Sequence, residues 1–183
     1  IDFDADELTG VDDAKKYILK TQEIHEEVIS KFVSIEDKYV RGLLISRESV
    51  AKERKIEFLL TEESFLEEEH GIIDSNDIVT ILGNLIENAF EACALCGDIK
   101  KKVEVSLYED DLVIEMQVRD NGKSIDNKIR DIMFTEGISS KGEDRGTGLY
   151  LVKNRVEIYN GSIDIEEFDD EKIFVVTILK GGI

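Results

Sequence analysis

The sequence predicts an α/β (α+β) two-layer sandwich: a mixed, mostly antiparallel sheet with about three helices on one face, preceded by a helical segment. Three patterns predict it. Ile78, Ile81, Leu82, Leu85, Ile86, Ala89, Phe90 and Cys93 recur at i, i+3, i+4, i+7, the apolar stripe of a helix. Val103, Val105 and Leu107, and then Leu112, Ile114, Met116 and Val118, alternate with polar residues, as half-buried strands do. After Gly148 a second helical stripe, Leu149, Val152, Val156 and Tyr159, leads to two more strand-like segments, Ser162–Phe168 and Ile173–Leu179.

Taken in order, residues 1–10 are acidic and end in Thr9-Gly10. Asp12 or Asp13 is placed to cap a helix through Tyr17, Ile18, Ile24, Val28 and Phe32, its apolar face continuing to Ile35. A second helix is expected from Val40 to Lys55, with Leu43, Leu44 and Val50 as its apolar members, and both helices need partners to pack on. Ile56–Leu60 reads as a short strand and Glu67-Glu68-Glu69 as a solvated run. Ser75 or Asn76 is expected to cap the helix that carries the first stripe. Glu109-Asp110-Asp111 is expected to turn the chain between the two alternating segments, making a hairpin. Residues 123–146 read as irregular, apart from a short helical pattern at Asn127–Met133. Asn160-Gly161 stops the helix that begins at Gly148, and Asp169-Asp170-Glu171 joins the last two strands.

The chain has 183 residues, 42% hydrophobic and 36% charged, with a net charge of −19. Such acidity argues against a nucleic-acid partner, which needs clustered cations. No apolar run approaches the length of a membrane span, and no secretory signal is visible. The start, Ile1-Asp2-Phe3, reads as the beginning of a fragment. Cys93 and Cys96 lack the further ligands that zinc needs and are expected to be buried or half-buried thiols, which suits a reducing compartment.

Three short stretches carry the chemistry. Asn84, Glu87, Asn88 and Glu91 fall at i, i+3, i+4, i+7 on a second face of the helix. That face is either merely solvated or able to hold hydrated Mg²⁺, which takes oxygen ligands and is shared with phosphates. Asp120-Asn121-Gly122 ends a strand, where a fixed carboxylate can accept a hydrogen bond from an exocyclic amine such as adenine carries. Gly146-Thr147-Gly148 precedes a helix, where backbone N–H groups can approach an anion. Residues 135–145 hold two glycines and two serines and read as a lid over a nucleotide or as a surface loop. Lys141 and Arg145 beside it supply cations for phosphates.

Asn-Leu-Ile-Glu-Asn-Ala from Asn84, Asp-Asn-Gly-Lys-Ser-Ile from Asp120, Met-Phe-Thr-Glu-Gly from Met133 and Arg-Gly-Thr-Gly-Leu from Arg145 together resemble the four ATP-site boxes of sensor histidine kinases. Those boxes define a catalytic domain that shares its fold with gyrase, Hsp90 and MutL. The N-terminal stretches Tyr17-Ile18-Leu19-Lys20-Thr21 and Gly42-Leu43-Leu44-Ile45 resemble, more loosely, the second helix and linker of the citrate and C4-dicarboxylate sensor kinases. The resemblance implies that residues 1–55 are part of a dimerisation and phosphotransfer hairpin and that residues 56–183 are the ATP-binding domain. It implies a kinase core that binds ATP and Mg²⁺, transfers the γ-phosphate to a histidine and relays it to a response regulator receiver domain. The full-length protein would be a homodimer, and this portion the cytoplasmic part of an inner-membrane bacterial sensor.

Carried over residue by residue, Asn88 matches the Mg²⁺ ligand. Asn84 matches the position of the general base in ATP-hydrolysing relatives, where an amide takes no proton and so favours transfer to histidine over water. Asp120 matches the adenine-reading carboxylate, and Gly122 lets the backbone approach the base. Gly146 and Gly148 match the phosphate-side glycines, and Phe134 the anchor of the lid. Ile125, Gly137, Ser140, Thr147 and Leu149 complete the nucleotide-binding boxes, with Ser124 standing where a second glycine is usual. Glu91 joins the same set, where a carboxylate repels phosphates unless Mg²⁺ intervenes. His25, although followed by Glu26, lies in the second-helix stretch without the Asn expected downstream, and neither it nor His70 is expected to be the phosphoacceptor. The alternatives are a clamp-type ATPase of the same superfamily and an adaptor that has lost its nucleotide.

Overall fold

A computed structural model of the chain describes residues 26, 28–97, 99–130, 132–135 and 148–181. Its elements are α1 (Lys38–Glu53), β1 (Glu57–Leu60), α2 (Ser75–Ala94), β2 (Lys102–Glu109), β3 (Val113–Asp120), α3 (Asn127–Arg130), α4 (Gly148–Ile158), β4 (Ser162–Phe168) and β5 (Glu171–Leu179). The five strands form one sheet in the order β1-β2-β3-β5-β4. Only β1 and β2 run parallel, and every other pair is antiparallel. The expected mixed, mostly antiparallel sheet is therefore present.

One face of the sheet is apolar and covered. Phe58, Val103, Val105, Leu107, Ile114, Met116, Val118, Phe174, Val176 and Ile178 are buried and share a core with Ile78, Ile81, Leu82, Leu85, Ile86, Ala89 and Phe90 of α2. The rings of Phe58 and Phe90 meet edge to face, with centroids 5.8 Å apart. Val40, Leu44 and Ala51 of α1 and Val152 and Val156 of α4 close the same core from either side of α2. Burial of this kind, at about 25 cal/mol per Å² of apolar surface, is the dominant favourable term for such a sandwich.

Four local expectations are corrected. The first helix does not carry on to Ile35: residues 31–34 form a turn, and Ile35 makes a parallel bridge to Leu66. Both Phe32 and Ile35 are buried in the core. Asp74, not Ser75 or Asn76, caps α2: its backbone is extended and its carboxylate accepts the Asn76 N–H at 2.7 Å. The hairpin turn is made by Asp110, whose carboxylate accepts the N–H groups of Leu112 and Val113, while Glu109 stays in β2 and is buried. Glu171 likewise belongs to β5, so that Lys172 faces Asp120 across the β3–β5 ladder.

Glu109 is buried for a reason. His70 lies between two carboxylates, its Nδ1 2.9 Å from Glu109 Oε2 and its Nε2 2.8 Å from Asp37 Oδ2. Glu109 also accepts the Glu67 N–H at 2.9 Å, and its Oε1 lies 2.6 Å from Lys180 Nζ. Asp37 is at the same time the cap of α1, accepting the N–H groups of Tyr39 and Val40. Burial pushes the Asp37 carboxyl up, but hydrogen bonds from Ser75, His70, Val40 and Tyr39 outweigh it and hold the group below the usual carboxylate range. His70 thereby ties the start of α1 to the end of β2. No helix among the described residues is long and apolar enough to cross a membrane. Replacing His70 with Ala removes one hydrogen bond from each of two buried carboxylates, and urea unfolding is expected to show a loss of about 2 kcal/mol with the m-value unchanged.

Candidate functional site

Asp120, the last residue of β3, is 1% exposed. Its Oδ1 accepts the Gly122 N–H at 2.9 Å and Lys172 Nζ at 2.5 Å, whereas its Oδ2 is buried with no hydrogen-bond partner among the described residues. Burial raises its pKa above the ordinary carboxylate value, and the charge and hydrogen bond of Lys172 pull against that rise. An unpartnered buried carboxylate oxygen is costly to the isolated chain and is fitted to accept a hydrogen bond from something that binds.

Two glycine contacts place the sequence boxes against α2. A Cβ on Gly122 would lie 2.5 Å from the Ala92 carbonyl carbon and from the Cys93 nitrogen. Lys123 N donates to the Ala92 carbonyl at 3.1 Å, so the turn after Asp120 lies directly on the helix backbone. At the other end, a Cβ on Gly148 would lie 2.9 Å from Asn84 Oδ1, so the first residue of α4 is seated on that amide. Asn84 Nδ2 in turn donates to Thr80 O at 2.7 Å. Ala92 and Asn84 are about 12 Å apart along the helix axis at 1.5 Å per residue, a span suited to the length of a nucleoside triphosphate. Asn88 stands midway, with its Nδ2 buried and without a hydrogen-bond partner among the described residues.

Other candidates fall around this line. Ile125 is half-buried, and its N–H donates to Glu167 Oε1 at 3.1 Å. Arg130 binds the other oxygen of Glu167 at 2.7 Å and the Ile165 carbonyl at 3.0 Å, which ties the segment after Gly122 to β4. Phe134 and Leu149 are half-buried against the core, and Glu91 is half-buried on α2. Glu87 turns away from Asn84 and Asn88: it binds Arg47 at 2.9 Å and Arg54 at 2.8 Å, joining α1 to α2. Gly137, Ser140, Lys141, Arg145, Gly146 and Thr147 lie outside the described residues, as does His25.

Lys172 and Glu167 were not singled out by the sequence. Lys172 stands in register with Asp120, but only strand pairing shows it, and Glu167 is one of several acidic residues in β4.

Comparison with known proteins shows the family. The model of the family described as "Histidine kinase-, DNA gyrase B-, and HSP90-like ATPase" matches residues 73–181. The chain belongs to that ATPase family. A probable C4-dicarboxylate sensor kinase of Halalkalibacterium halodurans is 33% identical over 165 residues, covering 87% of this chain and 31% of the relative. The sensor histidine kinase CitA of Klebsiella pneumoniae is 31% identical, covering 87% of this chain and 29% of its own length. The chain thus spans about a third of the curated relatives that it matches. Among solved structures, the catalytic domain of the histidine kinase ThkA superposes with a TM-score of 0.65 at 22% identity, over 78% of this chain and 92% of that one, and shows the same fold.

The chain therefore carries the ATPase domain of that family, and its glycine contacts lie within it. Gly122→Ala drives a methyl group into the backbone of α2, and a loss of about 2 kcal/mol is expected in thermal or urea unfolding. The thiols beside that contact differ. Burial first, and the charge of Asp120 second, push the Cys93 thiol up to about 11, while Cys96 is half-buried. At pH 8 about a thousandth of Cys93 is thiolate. A thiol reagent is therefore expected to modify only Cys96 in the native protein and both cysteines after unfolding, as mass spectrometry would show.

Proposed function

We propose that this chain is the catalytic core of a two-component sensor histidine kinase, which binds Mg-ATP and transfers the γ-phosphate to a histidine other than His25 or His70. The observation that carries the reading is the alignment along α2. Asp120, with its open carboxylate oxygen, lies at one end, Asn84 and the start of α4 lie at the other, and Asn88 lies between. In this reading Asp120 Oδ2 accepts a hydrogen bond from the adenine amine. The backbone at Gly122 approaches the base. The N-terminus of α4, an eleven-residue helix, directs its partial positive charge at the phosphates. Lys141 and Arg145 would add cations beside it.

Asn88 fits a magnesium ion, because its amide is otherwise unpartnered and turns either its oxygen or its nitrogen toward the site by rotation. Mg²⁺ held there would neutralise charge that develops on the phosphate oxygens. Asn84 cannot remove a proton from water, and its Nδ2 already donates to Thr80 O. In the transfer a neutral imidazole nitrogen bonds to the γ-phosphorus, the bond to the bridging oxygen breaks, and ADP leaves. Positioning and charge neutralisation carry most of the rate.

The remaining parts of the proposal concern the whole protein. Residues 1–55 would come from the helical hairpin and linker of a homodimer, the phosphate would pass to a receiver domain of a response regulator, and this portion would lie on the cytoplasmic side of the inner membrane. Calorimetric titration with a slowly hydrolysed ATP analogue tests the central claim. Mg²⁺-dependent binding is expected, weakened at least about tenfold by Asp120→Asn, which removes a charged acceptor. Equal binding by both proteins would show that Asp120 does not read the base.

A further inference from the structure

Lys172 is the only lysine or arginine among the described residues that is buried, at 5% exposure. An ammonium is costly to bury unless its donors are satisfied. Nζ donates to Asp120 Oδ1 at 2.5 Å and to the Lys123 carbonyl at 2.8 Å. An ammonium has three N–H groups, so one remains. On the other side of the pair, Asp120 Oδ2 is buried and has no hydrogen-bond partner among the described residues. One open donor and one open acceptor therefore stand side by side at the end of β3.

We propose that Lys172 is a second base-reading residue, donating a hydrogen bond to the ring nitrogen N1 of a 6-aminopurine whose exocyclic amine donates to Asp120 Oδ2. The inference rests on the nucleotide-binding reading above and deepens it. A 6-aminopurine presents a donor and an acceptor on adjacent atoms, N6 and N1, which is the complement of the Asp120–Lys172 pair. Guanine in the same pose presents the reverse order, its O6 facing a carboxylate and its N1–H an ammonium. Lys172 thus does more than compensate the charge of Asp120: it adds a directional contact to the base.

The test compares ATP with 1-deaza-ATP, which keeps the amine and lacks the N1 acceptor, in titrations of the wild-type chain and of Lys172→Met. Wild type is expected to bind ATP about tenfold more tightly than 1-deaza-ATP, the worth of a charge-assisted hydrogen bond. Lys172→Met is expected to bind both alike. If Lys172→Met fails to fold, Lys172→Arg, which keeps a buried cation but moves its donors, is expected to lower the same ratio. Equal affinity of the wild type for the two nucleotides would overturn the proposal. So would an equal loss for both in the variant, which is what a purely charge-compensating lysine produces. Failure of the wild type to bind ATP at all would overturn the nucleotide-binding reading instead.

Discussion

Helix α2 has to satisfy two demands with twenty residues. Ten of them are buried, most of them in the core against the sheet, while Asn84, Asn88 and the backbone at Ala92 and Cys93, on which Gly122 lies, serve the site. Neither demand can be relaxed alone. Rotating the helix to improve its packing would move Asn84 from Gly148 and Ala92 from Gly122 together, because interiors are packed too densely for side chains to follow independently. The salt bridges of Glu87 to Arg47 and Arg54 and the contacts of Asp77 with Tyr159 and Arg155 fix that rotation from both flanks.

Electrostatics around the site are arranged against the grain of the whole chain. A net charge of −19 repels an anionic ligand at long range, but that repulsion is screened over about 10 Å at ordinary salt. Nearer in, much of the acidity is already paired or turned away. Glu87 is held by two arginines, Glu167 by Arg130, and Asp120 shares its charge with Lys172. The N-terminal end of α4 lies against Asn84. What an anion would meet is set by these short contacts more than by the total.

The elements that could be read from the sequence were those whose signal is local. The stripe of α2, the alternation in β2 and β3, and the stop at Asn160-Gly161 each need only neighbouring residues, and all are present in the fold. Glu109 and His70 could not be read this way. In sequence Glu109 is the first of three acids in a turn, and its burial depends on a histidine and an aspartate brought from 39 and 72 residues away. Lys172 was missed for the same reason: its partner is set by strand register, which a single sequence does not state. Asp74 lost its place as a cap to Ser75 and Asn76 because all three are good caps and only backbone conformation separates them.

The joint between α1 and β1 is short. Arg54 caps the helix, Lys55 takes a left-handed conformation with φ 57°, and Ile56 is already buried. β1 then pairs in parallel with β2 at the rim of the sheet. With His70 clamping the other end of α1, the helix has no slack at either terminus and behaves as a strut bolted to the sandwich. Torque or tension arriving along the preceding chain would therefore turn α1 and the sheet as one rigid body.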